Sequence, residues 1–270
     1  MKTRAVLVLP AVAALVLTGC GGSSADAAAG TSNSVAASSA AGNPTGTLTV
    51  FAAASLTDVF TDLGDRLMAD NPDLDVQFNF AGSSALATQL TQGAPADVFA
   101  SANEKQMTVV TGAGLQAGDP MVFAENVLEI AVPQGNPGKV TGLADFGDAD
   151  LTLAICAADV PCGAAAAAVF ADAGITAQPD TEEEDVKAAL TKVQLGEVDA
   201  ALVYATDVQA AGSDVEGLPF PEAEQEINSY PICVLTSAPN PEAAQAFVGL
   251  VNSDTGQKAL ADAGFRAPTS

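Results

Sequence analysis

Three times along this 270-residue chain, a short apolar run of strand character ends in small or hydroxyl residues and a helical pattern begins at once. The junctions are Ala52-Ala53-Ala54-Ser55, Ala81-Gly82-Ser83-Ser84 and, in altered form, Val160-Pro161-Cys162-Gly163. Repeated strand-to-helix alternation restricts the fold to the α/β class.

The elements can be read in order. Strands are expected at 47–52, 75–80, 97–100, 127–133, 151–155, 200–204 and 230–236. The first helix carries Leu56, Val59, Phe60, Leu63 and Leu67 on one face and stops at Asn71-Pro72, where proline cannot continue the ladder. Further helices are expected at 85–92, 104–111, 164–172, 183–195, 242–251 and 255–263. The order predicts an α/β, two-lobed hinged clamp, each lobe a mostly parallel sheet flanked by helices. Lobe 1 is expected over 47–126 plus 237–270 and lobe 2 over 127–236, joined by crossing strands at 127–133 and 230–236.

The N-terminal residues point to a compartment. Lys2 and Arg4 precede an apolar run from Ala5 to Leu17, and Leu17-Thr18-Gly19-Cys20 has the form of a lipobox. A signal peptide is expected over 1–19, with Cys20 as the lipidated residue. Residues 20–46 are rich in Gly, Ser and Ala and are expected to form a flexible tether. The expected location is the cell membrane, lipid-anchored on its extracytoplasmic face.

The formal charge is −24, with nine Lys plus Arg and no histidine. Nucleic acid is excluded as a partner, because phosphate binding needs clustered cations. The commonest general base and metal ligand is missing too. No Gly-x-Ser-x-Gly elbow is present, and no base is evident for Ser55 or Ser83, so no catalytic residue is expected.

The junctions suggest a different chemistry. Each aims backbone N–H groups and a positive helix end at the expected cleft, and small residues let an anion approach. A dianion can be held this way without a cationic side chain. Ser55 also stands three residues before Asp58, the spacing of a capping box, so capping its own helix is an alternative role; Ser83 and Ser84 have the same alternative. Asp97 would repel a dianion and is read as bracing a loop. Lys187 and Arg266 have no place in the cleft that the sequence can assign.

Taken in order, Val50-Phe51-Ala52-Ala53-Ala54-Ser55-Leu56-Thr57, Phe80-Ala81-Gly82-Ser83-Ser84-Ala85-Leu86-Ala87 and Gly93-Ala94-Pro95-Ala96-Asp97-Val98-Phe99-Ala100-Ser101-Ala102 resemble the molybdate-binding proteins of bacterial ABC importers. Val160-Pro161-Cys162-Gly163, Glu184-Asp185-Val186-Lys187-Ala188-Ala189-Leu190, Val203-Tyr204-Ala205-Thr206-Asp207, Tyr230-Pro231 and Ala263-Gly264-Phe265 extend the resemblance over nearly everything after the tether. It implies capture of molybdate or tungstate by Ser55, Ser83, Cys162, Val186 and Tyr204, with no cofactor, by a monomer that serves a permease and its ATPase. The junctions pick out Ser55, Ser83 and Cys162 independently; Val186 and Tyr204 rest mainly on the resemblance. Cys162 departs from the family, which commonly has alanine there. The alternative is a clamp of the same fold for sulfate, another oxyanion or a small organic solute.

Besides Cys20, the cysteines are Cys156, Cys162 and Cys233. Cys156 and Cys162 flank a short loop, and a disulfide between them is expected to stiffen the third junction. Cys233 lies in an apolar strand and is expected to be a buried thiol. The spacing is not that of a redox Cys-x-x-Cys motif.

Overall fold

The computed structural model describes residues 43–269. The expected signal peptide, Cys20 with its expected lipidation, and most of the expected tether lie outside the described residues; Gly46, the last residue of that expected tether, opens the first strand. Among the described residues, no helix is long and apolar enough to cross a membrane.

The chain builds two five-stranded sheets. In the first lobe, β1 (Gly46–Ala53) leads through a 3-10 turn into α1 (Thr57–Asp70), followed by β2 (Leu74–Ala81), α2 (Ser83–Thr91), β3 (Val98–Ala100), α3 (Glu104–Gly112) and β4 (Gln116–Asn126). The second lobe contains β5 (Leu128–Pro133), β6 (Leu153–Cys156), α4 (Pro161–Asp172), β7 (Thr181–Glu183), α5 (Val186–Gln194), β8 (Ala200–Tyr204), α6 (Ala205–Ala211) and β9 (Val215–Leu218). The chain then returns to the first lobe with β10 (Asn228–Leu235), α7 (Pro241–Val251) and α8 (Asp254–Asp262).

Sheet order is β2-β1-β3-β10-β4 in the first lobe and β7-β6-β8-β5-β9 in the second. In each, a trio of parallel strands is followed by one reversed strand (β10 or β5) and then an edge strand (β4 or β9) that pairs antiparallel with it. The parallel strands are covered on both faces. Leu48, Val50 and Ala52 face the main core with Phe60 and Leu63 of α1, whereas Phe51 faces Leu86 and Leu90 of α2. Successive side chains on a strand point to opposite faces, so one apolar run supplies two core layers. Phe60 anchors the first, with its ring 5.7 Å from Phe123 and 5.3 Å from Phe247. Burying one such ring contributes about 1.5–3 kcal/mol.

Several expectations shift. The run at 230–236 is not the return crossing: it belongs to β10, which pairs with β3 and β4 in the first sheet. Its alternating residues Tyr230 and Ile232 are buried in the main core and hold it there. The return therefore runs through 219–227, and the lobe 2 expected over 127–236 gives up this strand. The outward crossing is at Val127, between β4 and β5. The strand β4 was unforeseen because it carries Pro120; as an edge strand it tolerates a residue with no N–H. The helix expected over 183–195 starts at Val186, because Asp185 caps it by accepting from Ala188 N.

Candidate functional site

Four helices start at one place. The first helical hydrogen bonds are donated by Thr57 to Ala54, Leu86 to Gly82, Ala164 to Val160 and Ala189 to Asp185. The N–H groups of Ser55, Ser83, Cys162 and Val186 precede those bonds and have no acceptor within their own helix. All four residues line a single small cavity between the lobes, which Tyr204 at the end of β8 lines as well. The structure thus brings together the five residues named from sequence. All four helix starts follow strands of the parallel trios (β1, β2, β6 and β7), whose carboxyl ends meet at the cleft.

The side chains fill defined roles. Ser83 Oγ accepts from Ala102 N at 3.0 Å, which ties the start of α2 to the loop after β3. Ser55 Oγ lies 2.9 Å from Tyr230 Oη. Neither serine caps its own helix: α1 and α2 have Leu56 and Gly82 at the cap position, without a side-chain cap bond. Tyr204 is 1% exposed; its hydroxyl faces that of Tyr230 but makes no well-aligned hydrogen bond within the protein. Burial pushes its ionisation far above the ordinary phenol range, so it keeps its proton and is a donor. A buried hydroxyl left without a partner costs about 1–3 kcal/mol.

The cavity walls are small or apolar, drawn from Ala53, Ala54, Ala81, Gly82 and Ala102. Gly82 belongs to the contact between lobes, where an added Cβ would collide with the carbonyl oxygen of Glu184. The one acidic residue of the lining, Asp185, has a carboxylate oxygen engaged by Ala188 N. Cys162 is joined to Cys156 by a disulfide, so no free thiol enters the cavity at the position where the resembled family has alanine. Cys233 is buried against Met107, its thiol pushed up to about 12 by burial.

Apart from Asp185, the charged residues stand around the site and not in it. Lys187 Nζ lies 3.0 Å from Asp58 and 3.5 Å from the buried Asp207. Arg266 forms a two-pronged pair with Glu224. Asp97 accepts from Thr49 N and Asn240 N, bracing β1 against the start of α7. Sequence reasoning passed over Asn126 and the hydroxyl of Tyr230, which stand behind Ser55. The scarcity of tyrosine, two in the chain, was the one available signal.

A family model described as bacterial extracellular solute-binding protein matches residues 48–266. The molybdate-binding protein ModA of Mycobacterium tuberculosis is 44% identical over 234 residues, covering 86% of this chain and 90% of that protein. The protein of the same name from Escherichia coli is 31% identical over 204 residues, covering 70% and 77%. Among solved structures, the periplasmic molybdate-binding protein of Azotobacter vinelandii superposes with a TM-score of 0.70 at 20% identity, covering 82% of this chain and all of that one. The sulfate-binding protein SubI of Mycobacterium tuberculosis reaches 0.71 at 18% identity, covering 82% and 86%. These two structural likenesses concern the fold alone. The extent of the family match and the 44% identity establish that this chain belongs to the bacterial extracellular solute-binding proteins.

Proposed function

We propose that this protein captures molybdate or tungstate outside the cytoplasm and delivers it to an ABC importer, a permease with its ATPase. The observation that carries the reading is the buried Tyr204 hydroxyl, without a well-aligned partner in the protein, in a cavity where four helix starts present N–H groups. Such a lining is rich in donors, and its one carboxylate, Asp185, has an oxygen committed to Ala188 N. A fully deprotonated tetrahedral dianion accepts at every oxygen and satisfies each donor, whereas a protonated oxyanion would need an acceptor for its proton. The 44% identical relatives named as molybdate-binding proteins support the same ligand.

Ser55, Ser83 and Tyr204 would hold the ion by side chain, with backbone N–H groups of Ser55, Ser83, Cys162 and Val186. Both lobes contribute, so the ligand favours the closed clamp. Lipidation at Cys20 would keep the monomeric protein at the membrane beside its importer. The deciding experiment is titration calorimetry with molybdate, tungstate, sulfate, phosphate and chromate. Micromolar or tighter binding of molybdate and tungstate with weak sulfate competition is expected. Sulfate displacing molybdate at similar concentration, or no heat with any oxyanion, overturns the reading.

A further inference from the structure

Behind Ser55 lies a buried cluster of hydrogen bonds. Asn126 Oδ1 accepts from Val127 N at 3.0 Å, which fixes which end of the amide is which. Its Nδ2 therefore faces Thr206 Oγ1 at 2.8 Å and Tyr230 Oη at 3.5 Å, donating to both. Tyr230 Oη thus accepts from Asn126; it lies 2.9 Å from Ser55 Oγ, a pair in which either hydroxyl can donate, and it also faces the Tyr204 hydroxyl. A hydroxyl can turn to donate or accept. With the Tyr230 proton directed to Ser55 Oγ, the Ser55 hydrogen is free for the cavity that Ser55 lines.

We infer that Asn126 and Tyr230 are positioning residues that set the specificity of the site, relaying a hydrogen-bond direction through Ser55 so that it presents a donor to the anion. Neither residue lines the cavity. The relay also reads closure. Asn126 is the last residue of β4, beside the outward crossing at Val127, and its partner Thr206 lies in α6 of the second lobe. Separating the lobes would break that bond and release the Asn126 amide, so Ser55 is fully committed as a donor only in the closed arrangement. Tyr230 is itself buried and packed edge-on against Phe123 and Phe265 as well as Tyr204, so its ring stays in place when its hydroxyl is removed.

The inference rests on the oxyanion reading above, and its test separates the two. Molybdate and hydrogen phosphate are titrated into the wild type, Tyr230→Phe and Asn126→Asp, with melting temperatures recorded for each. Tyr230→Phe is expected to weaken molybdate about five- to tenfold, the worth of one neutral hydrogen bond, while hydrogen phosphate loses less. The molybdate preference should narrow by a factor of about three or more. Asn126→Asp keeps the acceptor for Val127 N but turns the donor into a second acceptor, drawing the Tyr230 proton away from Ser55; it should narrow the preference in the same direction. It also serves as the deciding variant should Tyr230→Phe fail to fold. A purely structural role would weaken both anions alike and leave their ratio unchanged, and that result overturns the inference. Wild type that binds no molybdate overturns the oxyanion reading itself, and the relay with it.

Discussion

Lys187 Nζ stands 3.0 Å from Asp58 Oδ2, joining α5 of one lobe to α1 of the other across the mouth of the cleft. The same ammonium lies 3.5 Å from Asp207, a carboxylate that is 1% exposed. The arm to Asp58 is largely solvated, and such pairs contribute about 0.2–1 kcal/mol. Asp58→Asn should therefore weaken ligand binding by no more than about fivefold, an effect that fades as salt screens the pair. Lys187→Met should cost more, because it also strips Asp207 of its counter-charge. Calorimetry of both variants at low and high ionic strength checks the order.

Asp207 makes stability depend on pH in a definite direction. Burial, only partly offset by Lys187, raises its pKa from 3.8 to about 6. A folded state that holds this proton more tightly than the unfolded chain is favoured while the proton is bound. That contribution is complete below pH 3.8 and is lost as pH rises through about 6, a change of roughly 3 kcal/mol at most. Glu125 and Glu224 are shifted downward by their Thr269 and Arg266 bonds and act in the opposite sense, so the total curve is a sum. Asp207→Asn isolates the term. Its melting temperature relative to wild type should climb between pH 4 and pH 6, and a constant difference across that range would contradict the assignment.

Gly82 should prove to be a requirement of closure and not of folding. Its backbone, at φ −58° and ψ 132°, suits any residue, so alanine brings no strain to the isolated lobe. The added methyl group would instead meet the Glu184 carbonyl of the other lobe. Gly82→Ala is expected to melt within a few degrees of wild type without ligand and to bind at least tenfold more weakly. Small-angle scattering with saturating ligand should show a particle that stays more open.

Removing the Tyr204 hydroxyl should act oppositely on the empty and the loaded protein. In the closed protein without ligand the group is buried without a well-aligned partner, so Tyr204→Phe relieves a poorly satisfied donor and should leave the melting temperature equal or higher. With molybdate the same change deletes a bond to the ion, and affinity should fall about tenfold. Thermal melts with and without the anion read both signs in one experiment; a lowered melting point with unchanged ligand response would assign Tyr204 to packing alone.

The α/β class, the clamp and the five cavity residues were legible because they follow from local rules. A strand that ends in alanine and serine before a helix start must present N–H groups there, whatever surrounds it, and the resemblance added Val186 and Tyr204. The apolar run at 127–133 was legible as a strand because it stands clear of its neighbours, but from Leu128 onward it lies in the second sheet as β5 and is not itself a crossing strand. The edge strand β4 was not legible, because Pro120 argues against a strand until its place at the sheet margin is known. Nor was the placement of β10, whose apolar run suits either a crossing or a sheet interior.

What only the tertiary structure decided are the partnerships between residues far apart in the chain. Ser55 finds Tyr230 across 175 positions, Asn126 finds Thr206 across 80, and Lys187 finds Asp58 across 129. A serine before a helix has the same local pattern whether it caps that helix or faces a ligand. Here the choice is made by a tyrosine on β10 that occupies one side of the hydroxyl. Hydrogen-bond direction is a property of the closed network, not of any segment, and so the sequence determined which groups gather at the cleft while the fold determined which way they point.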